Sequence, residues 1–398
     1  MPSVAIIGAG AAGCFCAARL LDGAKGIRVT LFEAGKKPLA KVAITGGGRC
    51  NLTNTFSWIS SLEEAYPRGH RVIKRALSAF SPRETCRWFT DHGVPVVAQE
   101  DQCVFPVSQN AMDVVRCLLR ACQKAEFRLE HKVAGIKAAD SGFLVDGEHF
   151  DAVVVTTGGA PQGLPFLSAL DLETVPPVPS LFTFNIDDAP LRKRMGLVVE
   201  AGLSIPGTRF KSSGSLLITD WGFSGPATLR LSSYAARYLA DNQYRAPLLV
   251  NWLLKDEAVI RAFLEGLARE HPHQQVSSAR TPLPSRLWGL ITERAGLREG
   301  IRWAELGRKG MNRLTATLCQ DPYEITGKCK FREEFVTAGG VSLSEIQPGT
   351  MESKRFPGLY FAGEVLDIDA ITGGFNLQAA WSTGYVVAQS ITARFREE

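Results

Sequence analysis

The chain has 398 residues, of which 45% are hydrophobic and 21% are charged, and its formal net charge is +5 at pH 7. These values are typical of an ordinary globular protein of about two or three domains. No repeat of solenoid period is present, which excludes a repeat array. The positive charge is spread over short clusters such as Arg192-Lys193-Arg194, so it gives little support to a polyanionic partner.

Apolar stretches and cysteines indicate the compartment. The longest uncharged stretch near the N-terminus, residues 4–18, is shorter than the ~20 residues of a membrane-spanning helix. Residues 1–3 add no lysine or arginine of a signal peptide. The nine cysteines form no CxxC pair and no disulfide framework. We predict a cytoplasmic protein with no membrane partner and no metal site, and the missing CxxC pair argues against a thiol–disulfide reductase.

The first predicted strand is the apolar run at residues 4–7, and the Ala- and Leu-rich stretch at 17–21 belongs to the helix that follows it. Between them, Gly8, Gly10 and Gly13 have the spacing of the dinucleotide-binding fingerprint. The first glycine permits a tight turn, the second a close approach to a pyrophosphate, and the third close packing of the helix on the strand. The phosphates would meet free N–H groups at the positive end of the helix.

A second predicted strand, residues 26–32, ends at Glu33, about 20 residues after the glycines. A carboxylate at this place accepts hydrogen bonds from a ribose diol and disfavours a 2′-phosphate. Strand, glycines, helix, second strand and acid together predict a Rossmann-like nucleotide-binding unit.

The next elements alternate between helix and strand. Residues 35–54 are predicted to form a loop rich in glycine and lysine. Helices are predicted at 72–80, 83–92 and 111–125, β-like segments at 127–136 and 143–145, and a buried strand at 151–155 that ends in a glycine turn.

The character of the chain changes at the stiff segment Pro176-Pro177-Val178-Pro179. Short strands are predicted at 181–186 and 215–219, a mainly helical tract at 252–318, and a return of the parallel-sheet pattern at 358–364 before a helix from 375 to about 394. We predict an α/β fold with a discontinuous nucleotide-binding domain (1–175 and 336–398), an inserted β-rich domain (176–251 and 319–335) and a helical subdomain (252–318).

Two more glycine-rich segments would meet at the carboxyl ends of the strands, where doubly wound folds bind ligands. Residues 372–378 open the last helix with two glycines, and backbone N–H groups there can hydrogen-bond a flavin carbonyl. Close packing explains these two glycines equally well. In residues 41–54, three successive glycines indicate unusual backbone angles or a bound ligand.

Four side chains of the segment 41–54 are candidates for chemistry. Arg49 can pair with phosphate, and Asn51 or Asn54 can donate to ring carbonyls. Cys50 is a weak candidate for a nucleophile, but the sequence offers it no His or Cys partner, and a small packing residue is the better interpretation.

Several segments resemble one protein family. They are the glycine-rich start and, in order, TGGGRCNLTN (45–54), VFP (104–106), GFSGPA (222–227), VTAGGV (336–341) and residues 358–384. Over nearly the whole chain they resemble the bacterial FAD-dependent oxidoreductases of the aminoacetone oxidase-like and BaiN (YhiN) type. The resemblance implies a Rossmann-like, two-dinucleotide-type FAD-binding domain with an inserted β-barrel-like domain that carries a small helical subdomain.

The resemblance also implies a cofactor site. By motif, the first glycines would face the pyrophosphate, Glu33 the adenosine ribose, the backbone of Val133 the adenine, Glu364 the ribityl chain, and Phe375 with its neighbours the isoalloxazine. The predicted FAD-binding residues are Gly8, Gly10, Ala12, Gly13, Glu33, Ala34, Lys41, Gly48, Arg49, Cys50, Asn51, Asn54, Val133, Thr157, Gly158, Gly363, Glu364, Asp367, Gly373, Gly374, Phe375, Asn376 and Leu377.

One departure from the family pattern bears on catalysis. Relatives often have Thr-His shortly before the Ser-Gly-Pro segment, whereas here Thr219 is followed by Asp220 and Trp221. A histidine is a versatile proton donor near neutral pH, and a carboxylate would change the available acid–base chemistry. Asp220 is therefore a second weak catalytic candidate beside Cys50, and the sequence assigns no catalytic residue.

The leading hypothesis is an FAD-dependent oxidoreductase that transfers hydride between the flavin and a small organic substrate. The substrate would lie over the flavin under the inserted domain, near Phe105, Trp221 and Phe223. No second GxGxxG is present, so NAD(P)H is expected only as a transient co-substrate at the flavin face. Whether NAD(P)H or an amine or alcohol substrate reduces the flavin is left open.

Two alternatives come from other classes. Some RNA-modifying flavoenzymes share this general fold, but no aromatic-basic RNA-binding pattern stands out, so nucleic acid is the less favoured partner. The third hypothesis is a nucleotide-binding regulator without turnover. A colourless protein that cannot be loaded with FAD would favour it.

Overall fold

The computed structural model describes residues 1–24, 26–159, 163–329 and 336–397. The chain divides into two compact units, Met1–Val178 with Val336–Glu398, and Pro179–Phe335. Residues 330–335 of the predicted β-rich segment lie outside the described residues. Among the residues described, no helix is both long and apolar enough to cross a membrane.

The strands in chain order are β1 (Ser3–Ile7), β2 (Arg28–Phe32), β3 (Thr53–Asn54), β4 (Val96–Ala98), β5 (Cys103–Pro106), β6 (Glu126–Arg128), β7 (Ile136–Ala138), β8 (Phe143–Val145), β9 (Glu148–Phe150), β10 (Ala152–Val155), β11 (Thr174–Ser180), β12 (Phe184–Ile186), β13 (Val198–Ser204), β14 (Lys211–Ile218), β15 (Gly222–Ser224), β16 (Ala246–Asn251), β17 (Asp321–Lys328), β18 (Val336–Val341), β19 (Ile346–Gln347), β20 (Glu352–Ser353) and β21 (Leu359–Phe361).

The α-helices are α1 (Ala11–Gly23), α2 (Ala40–Gly48), α3 (Leu62–Ala65), α4 (His70–Ala79), α5 (Pro82–Asp91), α6 (Ala111–Ala121), α7 (Ala189–Arg192), α8 (Pro226–Tyr234), α9 (Ala236–Asp241), α10 (Glu257–Glu270), α11 (Ser285–Arg294), α12 (Gly307–Gln320) and α13 (Phe375–Glu397). Short 3-10 helices lie at Pro165–Leu170, Val276–Ser278, Trp303–Glu305, Leu343–Glu345 and Gly363–Val365.

The first unit is built on a seven-stranded sheet of order β19-β20-β21-β10-β1-β2-β6. Strand β1 pairs in parallel with both β10 and β2, and all of its residues are buried, which explains its continuous apolar run. Strands β21 and β6 continue the parallel arrangement on either side. The carboxyl ends of these five strands therefore face the same edge of the sheet, where ligands bind in such folds.

Helices α1 and α13 pack together beside this sheet. A Cβ on Gly384 of α13 would lie 2.9 Å from the carbonyl oxygen of Ala12 in α1, so glycine permits the close approach of the two helices. Both ends of the chain thus contribute to the core of the first unit.

The second unit contains a closed barrel of order β12-β15-β14-β13-β16-β17. Its interior is filled by buried side chains such as Phe184, Phe223 and Leu248, and the same core extends to Trp252 and Trp288 in the helical tract. Helices α10 and α11 lie within the predicted tract 252–318, and α12 begins within it and ends two residues beyond it, at Gln320. The predicted α/β fold with an inserted barrel and a helical part is confirmed.

Most predicted helices and strands begin and end within a few residues of those observed, because local signals define them. Helix α5 begins at Pro82, where the Ser81 hydroxyl accepts the Glu84 N–H and the Glu84 carboxylate accepts the Ser81 N–H. The helix predicted at 111–125 ends at Ala121, and the strand predicted at 215–219 begins at Lys211.

Two predictions were wrong. The segment 35–54 is not one loop, because it contains α2, whose helical geometry is lost from Thr45 to Gly48. The segment 127–136 is not one strand, because β6 ends at Arg128 and the next residues turn across the end of β2. There the N–H groups of Glu130 and His131 donate to the carbonyls of Gly35 and Glu33, at 3.0 and 2.9 Å. Val133 lies in this irregular segment, not in a strand.

Candidate cofactor and active site

The structure explains the presence of the three glycines after β1 in different ways. Gly8 has a φ of +105° and a Cβ on it would overlap the carbonyl of Thr156, while a Cβ on Gly13 would overlap the carbonyl of Gly8. Gly10 has an ordinary φ of −84°, and a Cβ there would have no neighbour within 4 Å. Neither backbone conformation nor packing requires glycine at Gly10, so the open space beside it suits a ligand that approaches the main chain closely.

The N-terminus of α1 is free to bind an anion. No side chain caps it, and its first turn contains no acidic residue. The first amides of a helix have no acceptor within the helix, and they carry a partial positive charge. The Thr156 hydroxyl donates to the Gly8 carbonyl at 2.8 Å and thereby fixes the turn. Thr156 was missed in the sequence, where its exposed neighbour Thr157 was chosen instead.

Glu33 lies at the end of β2 and faces the glycine turn. Its Oε2 accepts the N–H of Ala9 at 3.0 Å, and its Oε1 accepts the N–H of Gly35 at 2.7 Å. Ala34 is exposed beside it, and the turn after β6 brings the buried Val133 to the same end of the sheet. The residues predicted to contact the adenosine half of FAD therefore lie at neighbouring strand ends.

The side chain of Glu364, which follows β21, contacts residues from other segments of the first unit. Its Oε1 accepts the N–H of Thr337 at 2.7 Å, and its Oε2 lies 3.7 Å from Nζ of the mostly exposed Lys41. A Cβ on Gly158 would lie 3.6 Å from the same Oε2. Gly363, just before Glu364, donates its N–H to the Thr383 hydroxyl of α13. The structure thus brings Lys41, Gly158, Gly363 and Glu364 together.

Asparagine side chains hold the Gly373-Gly374 turn that opens α13. In the orientation that satisfies its neighbours, the Asn51 amide donates to the Thr53 carbonyl at 2.9 Å and accepts the Gly374 N–H at 3.2 Å. The Asn54 amide donates to the Gly373 carbonyl at 3.1 Å. A Cβ on Gly374 would overlap the Thr53 carbonyl, so close packing does require this glycine. A hydrogen bond from either asparagine to a ring carbonyl stays a prediction.

The first turn of α13 is held from several directions. The Asn376 amide forms two hydrogen bonds with the backbone of Ala370, at 2.9 and 3.0 Å. Phe375 is buried against Phe56 and Tyr66, and the Tyr66 hydroxyl donates to its carbonyl at 2.8 Å. Asp367 donates its backbone N–H to a strand carbonyl at 3.0 Å, and Leu377 is half-buried. The turn contains no acidic residue, so its amides can stabilise negative charge.

The triple-glycine segment does have unusual backbone angles. Gly46, Gly47 and Gly48 have φ values of 58°, 68° and 80°, a region that favours glycine. The exposed Arg49 guanidinium lies 4.4 Å from the ring centre of Phe105, which is 3% exposed. The prediction that Phe105 contacts substrate is therefore wrong for this structure, because the ring is buried.

Cys50 is a packing residue. It is fully buried, and burial raises the pKa of its thiol to about 12. A thiol with such a pKa is protonated at neutral pH and is a poor nucleophile.

One buried ion pair near the turn escaped the sequence analysis. Asp369 is fully buried and pairs through both carboxylate oxygens with the guanidinium of Arg68. The two residues are 301 positions apart, and no local pattern connects them.

In the second unit, Asp220 is exposed in the turn between β14 and β15. Its neighbour Trp221 is half-buried and donates its indole N–H to the Thr183 hydroxyl at 3.2 Å. Phe223 is fully buried inside the barrel, so the prediction that Phe223 contacts substrate is wrong. A catalytic role for Asp220 stays a prediction.

The fold and the site define an FAD-dependent oxidoreductase with a two-dinucleotide-type fold. A family model described as "HI0933-like protein Rossmann domain" matches residues 2–390, and the chain belongs to this family. The chain is 31% identical over 410 residues to the ribosomal RNA dihydrouridine synthase of Escherichia coli (strain K12), covering 98% of this chain and 97% of that protein.

A second relative acts on a different kind of molecule. The 3-dehydro-bile acid delta(4,6)-reductase of Clostridium scindens is 28% identical over 415 residues, covering 99% of this chain and 100% of that protein. Among solved structures, the 3-ketosteroid delta1-dehydrogenase from Sterolibacterium denitrificans superposes with a TM-score of 0.51 at 12% identity, covering 99% of this chain and 100% of that one. At this identity the likeness describes the fold alone.

Proposed function

We propose that this flavoprotein saturates an activated carbon–carbon double bond, and that its substrate is a uracil base in ribosomal RNA. The observation that carries the proposal is the similarity, over nearly the full length of both chains, to a ribosomal RNA dihydrouridine synthase. A small organic substrate, favoured by the sequence motifs, is the second candidate, and the similarity to a bile-acid reductase supports it.

The names of the two relatives describe related chemistry. Dihydrouridine is uridine with two hydrogens added across the double bond of its ring, which is conjugated to a carbonyl. In a 3-dehydro-bile acid with double bonds at positions 4 and 6, the double bonds are likewise conjugated to the 3-keto group. In both cases hydride adds to an electron-poor carbon, a proton adds to a carbon nearer the carbonyl, and negative charge develops on the carbonyl oxygen.

The residues of this chain fit that chemistry. Amides at the start of α1 would hold the FAD pyrophosphate, and Glu33 would accept hydrogen bonds from the adenosine ribose. FAD, when bound and reduced, supplies the hydride. The amides at the start of α13 can stabilise negative charge, and Asn51 and Asn54 hold the Gly373-Gly374 turn that precedes these amides in place before substrate binds. For the proton donor, the sequence offers Asp220 as a weak candidate.

In this reaction NAD(P)H would be the reductant. One NAD(P)H and one proton would supply the two hydrogens, with NAD(P)⁺ as the other product. Because the sequence holds a single dinucleotide fingerprint, NAD(P)H would dock transiently at the flavin face. A ribosomal RNA substrate would place the protein in the cytoplasm.

The test uses the FAD-loaded enzyme under anaerobic conditions. NADH or NADPH is added and the loss of yellow colour is followed. Unmodified ribosomal RNA or a 3-keto-4,6-diene bile acid is then added, and dihydrouridine or saturated steroid is measured by mass spectrometry. Flavin reoxidation with dihydrouridine formation is the expected result. If only the dienone reoxidises the flavin, the substrate is a small molecule and not RNA. If neither compound reoxidises the flavin, the proposal is overturned.

A further inference from the structure

A positively charged helix face lies beside the opening of α13. Arg71, Lys74 and Arg75 are exposed on α4 at spacings of three and four residues, so they share one side of the helix. Val72 and Ile73 are buried on the other side. We call Arg71, Lys74 and Arg75 the basic face of α4.

The charge of this face is not neutralised locally. Helix α4 contains no acidic residue, and within the described chain no carboxylate lies within 4.0 Å of the three cationic groups. Two other helices of this unit differ, because Arg87 pairs with Asp91 in α5 and Arg116 pairs with Asp113 in α6. Like charges at these spacings repel each other, so the face gains stability when an anion binds.

The N-terminus of α4 packs against the segment that leads into the Gly373-Gly374 turn. A Cβ on Gly69, the residue before α4, would lie 2.5 Å from a side-chain carbon of Ile368. The preceding residue, Arg68, forms the buried ion pair with Asp369. The basic face therefore begins within one helical turn of the segment that holds α13.

An exposed tryptophan flanks the same turn. Trp58 is 68% exposed, which is unusual for so large an apolar side chain. Two residues before it, Phe56 packs edge-to-face on Phe375, with ring centres 5.0 Å apart. The segment that carries Trp58 thus contacts the first turn of α13, and the basic face begins beside the segment that leads into that turn. In the sequence, 13 or more positions separate Trp58 from the basic face.

We propose that the basic face of α4 binds backbone phosphates of the RNA substrate and that Trp58 stacks on a base next to the target uracil. This inference rests on the proposed function. Lysine and arginine neutralise phosphates, and exposed aromatic side chains stack on unpaired bases. A uracil inside a duplex must leave the stack to reach a flavin, and an aromatic platform beside the site stabilises such an opened strand.

The test compares three FAD-loaded variants with the natural protein. The first removes the basic face (R71Q/K74Q/R75Q), and the second replaces Trp58 (Trp58→Ala). The third is a matched control, R308Q/K309Q/R313Q, which removes three exposed cations from α12. Binding is measured by anisotropy of a fluorescent single-stranded ribosomal RNA fragment at several salt concentrations, and dihydrouridine formation gives KM and kcat.

We expect the basic-face variant to raise the KM for RNA about tenfold and to reduce the salt dependence of log K by about 2. Trp58→Ala should raise KM with little change in salt dependence, because stacking releases no counterions. FAD content and the rate of flavin bleaching by NAD(P)H should stay unchanged in both, which shows that the variants are folded.

The outcomes separate the inference from the function on which it rests. If the natural protein forms dihydrouridine and the basic-face variant is unimpaired, or the α12 control is impaired equally, the inference is overturned while the proposed function stands. If the natural protein reduces the dienone but neither binds nor reduces RNA, the proposed RNA activity fails, and the inference fails with it.

Discussion

The carboxylate of Glu33 accepts the backbone N–H of Ala9 at 3.0 Å, and this contact joins the end of the second strand to the middle of the glycine turn. The sequence places the two residues far enough apart that only a parallel strand pair brings them together. A single side chain thus shapes the turn and presents oxygen atoms to a ribose. Its two tasks can be separated by substitution.

Glu33→Gln should weaken FAD binding without unfolding the protein. Glutamine keeps one oxygen that can accept the Ala9 N–H. It loses the acceptor for the Gly35 N–H, and it loses the charge that strengthens hydrogen bonds from a ribose diol. We expect a loss of about 1.5 kcal/mol, which is roughly a tenfold higher Kd for FAD. The measurement is a titration of the apoprotein by quenching of FAD fluorescence. Glu100→Gln, at an exposed position, is the control and should leave Kd unchanged.

Gly10 and Gly13 should respond differently to alanine. A Cβ at Gly10 meets no protein atom, so Gly10→Ala should leave the apoprotein as stable as before, or more stable by up to about 1 kcal/mol. The Cβ of this alanine occupies the space proposed for the pyrophosphate and should abolish FAD loading. Valine in Gly10→Val fills more of the same space and should have the same effect. Gly13→Ala overlaps the Gly8 carbonyl and should destabilise the apoprotein itself by about 2 kcal/mol.

Urea unfolding of the apoproteins and the flavin absorbance of purified samples check both statements. Full flavin occupancy in Gly10→Val would contradict the pyrophosphate assignment.

The sequence predicted the first strand, the glycine turn and Glu33 because their signals are local. An apolar run, fixed glycine spacings and a strand-terminal acid each depend on a few adjacent residues. It failed for α2, since one helical turn between two irregular segments has too few residues to show a period. It also failed for the segment around Val133, which is not a strand because carbonyls of the turn after β2 decide the path of the chain.

Contacts between distant segments could not be predicted at all. Arg68 and Asp369 come together only because both flank the turn that opens α13. Phe105 and Phe223 were expected to touch substrate because aromatic residues suit binding sites, yet both are buried. An aromatic residue in a motif is compatible with either role, and only the packing decides between them.

Replacement of Cys50 should leave catalysis intact. Since its thiol is buried and its pKa is raised to about 12, it does not form a thiolate at neutral pH. Cys50→Ser should keep FAD content and kcat within about twofold, and it should lower stability by about 1 kcal/mol because a hydroxyl is buried in its place. Steady-state kinetics and urea unfolding provide the readouts. A loss of turnover with full FAD content would contradict the packing interpretation.

The ion pair between Arg68 and Asp369 should matter far more than exposed pairs. Asp369→Ala leaves a mostly buried guanidinium without its main carboxylate, and we expect a loss of about 3 kcal/mol in the free energy of unfolding. Replacing both residues, as in R68M/D369A, should cost less than Asp369→Ala alone, because no uncompensated charge stays buried. Arg87→Ala breaks an exposed pair and should cost less than about 0.5 kcal/mol.

Asp321 should make the protein less stable as the pH rises through its pKa. Burial raises the pKa of this carboxyl above its ordinary value of 3.8, although Arg294, Trp252 and Tyr323 all contact the carboxylate and oppose the shift. A group whose folded pKa is raised binds its proton more tightly in the folded state. Its contribution to stability is therefore complete below the unfolded pKa and is lost as the pH rises through the folded pKa.

Asp321→Asn isolates this effect, because asparagine does not titrate and its side-chain oxygen can still accept the Trp252 and Tyr323 hydrogen bonds. Other carboxylates, such as Asp146 and Asp151, have lowered pKa values and change stability in the opposite direction, but they are common to both proteins and cancel in the difference. The free energy of unfolding of the natural protein minus that of the variant should fall in urea titrations as the pH rises above 3.8, the ordinary pKa of the carboxyl group. If this difference rises with pH instead, attraction to Arg294 outweighs burial at Asp321.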